Sequence, residues 1–579
     1  MISVSGKKWI ERKVNKNLVE KIRQDFNFNE ILSRLIISRN FDHDEINNIN
    51  DDLKTYNDFI NNNDFNKATD LLIDTIKNKE NICILGDYDV DGSTSTALLV
   101  RFFNYINQPH FFYIPNRISD GYGASKKLFQ KLILKKPKLI ILVDCGSTSN
   151  EAIDFINKEN IKSIIIDHHE IHKPHPKSNI IINPKKDNGY LKYNYLCTAA
   201  LTYFFLDILI KKVKSNFNIS DFQIYVLLAI VCDVMPLRKI NKLIALNALK
   251  DFNIKKHIAF ESIFELMGIN KKLETDDLGF LIGPIINAGG RLGNSNLGVE
   301  LLISDNLNTI KQKSKKLIEL NNKRKKIEKD ILENINFKEI ESKNKNIIIY
   351  YKPNIHEGLI GIIAARLKEH FNKPSIVITN SNNIFKGSAR STNNYNIGYL
   401  IKILSDKKII EKGGGHNMAA GFIIKKKNIK TLDDFIQKDF LKKNLNSDFI
   451  LKYDLELSSS TINTSFVEDI NRLGPFGNSN PLPTFLFKNL KIIKTLILDK
   501  KHISVILKSS TGRSIKAICF NCMISNVGKY LTTYKKNINV IAQIHENIWN
   551  NKKSTQLNIK DILMFNCVDF LLFQIFSCI

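Results

Sequence analysis

Cysteine is scarce and scattered. The 579-residue chain holds eight, set in apolar segments such as NICIL and AIVCDV without the dense, even spacing of a secreted scaffold. That pattern excludes a disulfide framework and points to a reducing compartment. Cys519 and Cys522 form a CxxC, but the two further ligands that a structural zinc requires are missing, so ordinary core cysteines are expected. The opening MISVSGKKWIERKV has no apolar h-region, so neither a signal peptide nor a membrane anchor is expected, and the chain reads as cytoplasmic. The closing VDFLLFQIFSCI is apolar yet far short of the ~20 residues of a spanning helix, and reads as a docked terminal element. Internal repeats are lacking as well.

Negative charge is the scarcer sign: 58 acidic residues stand against 85 Lys and Arg, a net charge of +27. Such a balance suits phosphate-rich partners such as nucleic acid. A second reading assigns part of it to the abundance of Lys, Asn and Ile, a composition that an AT-rich genome favours. A chain of this length exceeds one hydrophobic core, so two to four domains are expected.

From about residue 66, amphipathic stretches (NKATDLLIDTIKNKE, TSTALLVRFFNYI, SNEAIDFINKEN) alternate with short apolar runs (NICILG, HFFYIP, KLIILVD, KSIIID, NIIINP). This rhythm predicts a parallel sheet covered by helices. LCTAALTYFFLDILIKK and DFQIYVLLAIVCDV exceed strand length and read as buried helices. Residues 309–335 contain neither Gly nor Pro and carry one apolar stripe, which predicts a single long helix with a basic outer face. A second α/β pattern follows to about residue 440. Short strands after residue 450 (PTFLFK, KIIKTLIL, HISVILK, SIKAICF, NINVIAQI) predict a small barrel or sandwich.

In this basic chain, GDYDVDG places Asp87, Asp89 and Asp91 at alternating positions where the strand NICIL ends, so that their side chains converge. One carboxylate would suffice to cap the following helix; three invite a cation. Asp144 follows the strand KLIILV, and Asp167, His168 and His169 follow KSIII. In an open parallel sheet the crevice outside the carboxyl ends of the strands is where ligands bind. Asp233 ends the apolar stretch VLLAIVC and is costly to bury without a positive partner. Carboxylates with imidazole, and no thiolate among them, fit Mn2+ or Mg2+ better than structural zinc. Four or more carboxylates can hold two divalent ions roughly 4 Å apart, an arrangement used for in-line attack on phosphorus. Taken alone, DHH also fits a strand end used as caps; the four clusters together do not.

GDYDVDG, VDCG, DHH and CDVMPL, in this order and spacing, resemble the four metal-binding motifs of the DHH phosphoesterase family. GGGHNMAAGF at 413–422, preceded by GSARS at 387–391, resembles that family's companion domain, DHHA1. HEGLIGIIAARL, GPIINAGGRLG and LGPFGNSNPLP are similar to the RecJ exonuclease branch, and the resemblance covers nearly the whole chain. It implies an α/β protein: a parallel-sheet DHH catalytic domain over 51–308 after an N-terminal extension over 1–50, a connector helix over 309–336, a DHHA1 domain over 337–440, and an OB-fold-like β-barrel with a C-terminal tail over 441–579. It implies Asp89, Asp91, Asp144, His168 and Asp233 as metal ligands, with Asp144 bridging two ions and Asp87 a further contact. It also implies His169, Arg390 and His416 as contacts to substrate phosphate, Arg291 as a nucleic-acid contact, and Asp167 as a residue that orients a histidine. Gly414 and Gly415 would let backbone N–H groups approach an anion. The implied activity is a metal-dependent 5′ to 3′ exodeoxyribonuclease specific for single-stranded DNA, acting as a monomer in repair and recombination beside a helicase and a single-strand-binding protein. The direction rests on the resemblance alone.

Two positions depart from the pattern. Ile285 stands where the branch commonly has Arg, and Ser479 where a glycine is usual, which leaves the shape of that turn open. Trp549 reads either as a stacking platform in the β-rich domain or as a core residue. Two other functions compete with the nuclease. A small-substrate phosphoesterase would lack residues 450–579, and a non-catalytic relative would have lost metal ligands.

Overall fold

The computed structural model describes residues 3–564 except 50–56, 117–119, 122, 188–189, 251, 382–383, 393, 444–449, 524, 534–536 and 550–551. The apolar C-terminal segment and the side chain of Trp549, both singled out above, lie outside the described residues. The chain forms two compact units, one of residues 55–235 and 244–445, the other of 1–54, 236–243 and 446–579.

The larger unit begins with five parallel strands in the order His110–Tyr113, Ile82–Gly86, Leu139–Val143, Lys162–Ile166, Ile180–Ile182. Ile82–Gly86 and Leu139–Val143 are buried at every position, as central strands covered on both faces must be, which is why they read as unbroken apolar runs. The chain leaves Ile82–Gly86 first to one side and then to the other. The strand order therefore reverses between Ile82–Gly86 and Leu139–Val143, which opens a crevice at their carboxyl ends. Thr198–Val213 and Gln223–Cys232 are buried helices, as their length and uniform hydrophobicity require.

Helix Leu307–Glu333 runs 27 residues, about 40 Å at the α-helical rise. It is packed along its length, with Ile310 and Leu317 buried, and it contacts helices Ile258–Leu266, Gly283–Arg291 and Ile360–Phe371. Near its end, Glu328 accepts from Arg366 Nε at 2.8 Å and from Arg324 Nη1 at 3.2 Å. The second sheet of this unit has the order Lys412–His416, Ala419–Ile424, Ile384–Arg390, Ser375–Ser381, Ile348–Tyr351. It is antiparallel except for its last pair.

In the smaller unit, strands Thr484–Leu498, His502–Lys508, Ser514–Cys519, Lys552–Met564 and Asn537–Trp549 pair in succession, and the last pairs back on the first. This closed five-stranded barrel is the barrel alternative that the short strands left open and the OB-fold that the resemblance implies. Cys519 and Cys522 are both buried in its core, where Cys522 Sγ donates to the Cys519 carbonyl. The N-terminal helices Lys16–Phe26 and Glu30–Ser38 belong to the same unit, and Leu32, Leu35 and Ile36 share the barrel's core. A buried ion pair ties the N-terminal helices to the segment that leads into the barrel: Arg39 donates to both oxygens of Asp454, at 3.2 and 3.4 Å.

Candidate functional site

Asp87, Asp89 and Asp91 leave the strand Ile82–Gly86 at the reversal of the sheet. Asp87 is 2 % exposed. Asp89 caps helix Val90–Tyr105 by accepting from Gly92 N–H at 3.1 Å. Asp91, in that helix's first turn, points at the start of helix Thr198–Val213 and accepts from the backbone N–H of Thr198 and of Ala199 at 2.8 and 2.7 Å. A helix N-terminus is the backbone feature best suited to hold a buried carboxylate. The loop is clamped from both sides. A Cβ at Gly92 would lie 2.5 Å from the Asp87 carbonyl oxygen, and one at Gly290 would lie 2.5 Å from that of Tyr88. The glycines of GDYDVDG and GPIINAGGRLG thus bring two helices against one acidic loop.

Asp144 follows the neighbouring strand in a left-handed conformation, φ 61°, which an aspartate tolerates. It is 1 % exposed; its Oδ1 accepts from Thr198 Oγ1 at 3.2 Å, and its Oδ2 has no hydrogen-bond partner. Asp167 ends the next strand and acts as a hub. Its Oδ1 accepts from the backbone N–H of His168 and His169 and, at 2.8 Å, from His169 Nδ1, while Oδ2 accepts from Ser147 N–H. The His169 imidazole is thereby fixed in direction, and the backbone that carries His168 is held beside it. His168 Nε2 faces three carboxylates at once, 3.4 Å from Asp233, 3.5 Å from Asp144 and 3.8 Å from Asp91. Asp233 reaches this point from the end of helix Gln223–Cys232.

Those distances are too long for good hydrogen bonds and suit donors gathered around a cation. Ligand atoms within 4.8 Å of one another form three groups: Asp87, Asp89 and Asp144; Asp91, His168 and Asp233; and Asp144, His168 and His169. Asp144 belongs to two of them. In the third, His169 Nδ1 is already engaged by Asp167, so the first two are the better cation sites.

The electrostatics agree with that choice. Burial, then the charge of Asp89, push Asp91 up to about 6. Burial and the neighbouring carboxylates raise Asp144 and Asp233 well above the usual carboxylate range. Burial, then the charge of His169, hold His168 far below its ordinary value, so it is a neutral imidazole able to donate a lone pair. Burial opposes ionisation of Asp167, but its hydrogen bond and ion pair with His169 hold it well below its usual range. The same pair outweighs burial at His169 and raises it to about 9, a fixed positive charge at the rim. Buried acids that repel one another, with orphaned oxygens on Asp144 and Asp233, fit divalent cations.

His416 comes from the second sheet. Its ring lies 5.6 Å from that of His169, at 27°, and its Nδ1 is 3.8 Å from Glu170. Arg390 stands two strands away in the same cross-strand row, His416–Ala419–Arg390, so both side chains point to one face. Gly414 opens onto free space, as backbone access by an anion would require. Gly415 has a different cause, because a Cβ there would lie 2.3 Å from the Ala419 carbonyl oxygen. Arg291 donates to the Gly358 carbonyl at 3.2 Å. Ile285 is 1 % exposed and serves the core. Ser479 adopts φ 61°, so its turn keeps the left-handed shape that glycine favours. The supporting roles of Thr198, Ala199, Ser147 and Glu170 were not legible in the sequence. CTAA at the start of a buried helix and the acid after DHH were the only signals.

Family models match three stretches of the chain: the DHH family N-terminal domain at residues 81–230, the DHHA1 domain at 344–442 and the RecJ OB domain at 453–561. Over 489 residues the chain is 29 % identical to the single-stranded-DNA-specific exonuclease RecJ of Haemophilus influenzae, covering 79 % of this chain and 83 % of that one. Over 571 residues it is 26 % identical to RecJ of Bacillus subtilis, covering 96 % and 71 %. Its fold matches RecJ of Thermus thermophilus in complex with Mn2+, with TM-score 0.81 and 19 % identity over 97 % of this chain and 80 % of that one. A parallel-sheet domain, a companion domain and an OB barrel, each matched in its own place and in this order, make the chain a member of the DHH phosphoesterase family in its RecJ branch.

Proposed function

We propose that the protein is a metal-dependent exonuclease that hydrolyses single-stranded DNA from its 5′ end, in repair and recombination, with two divalent ions. One observation carries the reading: five buried or half-buried carboxylates and one neutral imidazole converge at the sheet's reversal in a chain of net charge +27. A solvated acidic surface would need no such burial. Asp87, Asp89 and Asp144 would hold one ion and Asp91, His168 and Asp233 the other, with Asp144 between them. Bound there, Mn2+ or Mg2+ would lower the pKa of a water and offset charge that develops on the phosphate. Relatives in complex with Mn2+ and with Mg2+ favour the same choice of metal.

The remaining residues orient the substrate. Protonated His169, held by Asp167, presents a positive edge to a phosphate oxygen, with His416 beside it. Arg390 and the open backbone at Gly414 extend the anion-binding face. Arg291 joins the loop containing Gly358 to the helix behind the acidic loop, so it positions as well as attracts. Single-strand selectivity follows if the space between the DHH sheet and its companion admits one chain, and a monomer suffices. The direction and the cellular role derive from the family resemblance.

The experiment is incubation with Mn2+ and single strands labelled separately at each end. Mononucleotides released first from the 5′ end, with duplex DNA resistant, are expected. Release of a few residues from short oligomers only would overturn this reading in favour of a small-substrate phosphoesterase.

A further inference from the structure

Phe280 is the candidate that the mechanism leaves unused. Its side chain is 82 % exposed, and no other large apolar side chain among the described residues is more so. It is not on a loose loop. It sits in a π-helical turn, Leu278–Ile282, whose flanking Leu278 and Ile282 are both fully buried. Such turns are uncommon and concentrate at functional sites.

The turn is pressed against the end of the helix that supplies Asp233. A Cβ at Gly279 would lie 3.0 Å from Val231 Cγ1, and one at Gly283 only 2.2 Å from Cys232 Sγ. Cys232 Sγ also donates to the Leu278 carbonyl at 3.6 Å. Asp233 is the next residue, 3.4 Å from His168 Nε2. Packed helices lie roughly 10 Å apart, so Phe280 leaves the fold within a few nucleotides' reach of the acidic cluster. Val234, the residue after Asp233, is 64 % exposed and adds apolar surface beside the cluster.

We propose that Phe280 is a positioning residue for the substrate, a platform on which a base of the bound strand stacks while a phosphate near it occupies the acidic cluster. This rests on the nuclease reading and adds to it. The charged groups supply attraction along the backbone, whereas a ring held by a rigid turn fixes the distance between a base and the reacting phosphate. Stacking of this kind tolerates any sequence, because every base has a π-face. It requires bases that are unpaired, so it also favours a single strand over a duplex. An exposed phenylalanine gives the fold nothing that a polar residue at the same position would not.

The test measures binding in the Asp144→Ala background, so that the strand is held and not cut. 2-Aminopurine is placed at successive positions from the 5′ end, and a matching series carries abasic nucleotides. With Phe280 present, quenching at one or two adjacent positions is expected, and an abasic nucleotide there should weaken binding about tenfold. Phe280→Ala should lose the quenching, bind the intact strand about tenfold more weakly and be indifferent to the abasic nucleotide. Phe280→Trp should restore all three. In the active enzyme Phe280→Ala should act on KM rather than on kcat. Equal affinity and quenching in Phe280→Ala, or a shift in oligomeric state without change in DNA binding, would overturn the proposal. Absence of single-strand binding even with Phe280 present would overturn the nuclease reading with it.

Discussion

Asp91 carries the clearest consequence of pH at the scale of the residue. Its carboxyl titrates at about 6 in the fold against an ordinary 3.8. The fold therefore favours its neutral form, and that contribution is fully present below about pH 4 and lost as pH rises through 6. At 1.4 kcal/mol per pKa unit the loss is on the order of 2–3 kcal/mol. Without metal the protein should accordingly lose thermal stability between about pH 4 and 7, and Mn2+ should raise Tm more at pH 7.5 than at pH 5. Asp91→Asn should flatten that dependence in differential scanning calorimetry and abolish nuclease activity. Asp167→Asn, which frees the His169 ring, should cost about 10- to 100-fold in activity. Ser479 lies far in sequence from this chemistry but is also strained: a serine at φ 61° costs about 1 kcal/mol. Ser479→Gly should raise the chemical-denaturation midpoint, and an unchanged midpoint would show that the turn adapts to serine.

At the scale of elements, the site depends on how closely two helices approach the acidic loop. Gly290→Ala would drive a methyl group into the Tyr88 carbonyl and should cost about 1–3 kcal/mol, with activity falling further than stability, because it is the loop that shifts. In the barrel unit, Arg39→Met would leave the buried Asp454 carboxylate with half-exposed Arg12 as its remaining cation among the described residues, and should cost about 3–5 kcal/mol in urea unfolding. The elements that were legible in the sequence are those with an extreme local signal. Short apolar runs made Ile82–Gly86, Leu139–Val143 and the Ile164–Ile166 part of the next strand legible as parallel strands, and one 27-residue stretch without Gly or Pro made the long helix. Association between distant segments had no such signal. That Lys16–Phe26 and Glu30–Ser38 complete the core of a barrel more than four hundred residues away depends on contacts between side chains whose sequence patterns are ordinary.

At the scale of the whole molecule, opposite charges are segregated. The basic excess of +27 is spread over the chain, while Asp87, Asp91, Asp144 and Asp167 are withdrawn from solvent into one crevice. Under the proposed function, a polyanion is drawn by the former and processed at the latter. Binding of a single strand should therefore weaken linearly on a log–log scale with salt, with a slope of about −0.7 for each phosphate neutralised. Asp87, Asp144, Asp167 and His168 were legible because each follows an apolar strand, and Asp233 because it ends an apolar helix; the topology had only to bring those ends together. What the sequence could not provide was the assignment of ligands into groups, which depends on distances such as the 3.4–3.8 Å spread around His168 Nε2. Anomalous diffraction from crystals soaked in Mn2+ tests that grouping most directly. Two peaks are expected, one touching Asp87, Asp89 and Asp144 and the other Asp91, His168 and Asp233, with Asp144 between them and both peaks weakened in Asp144→Ala. A nuclease-active crystal with one peak, or with none in this crevice, would contradict the account.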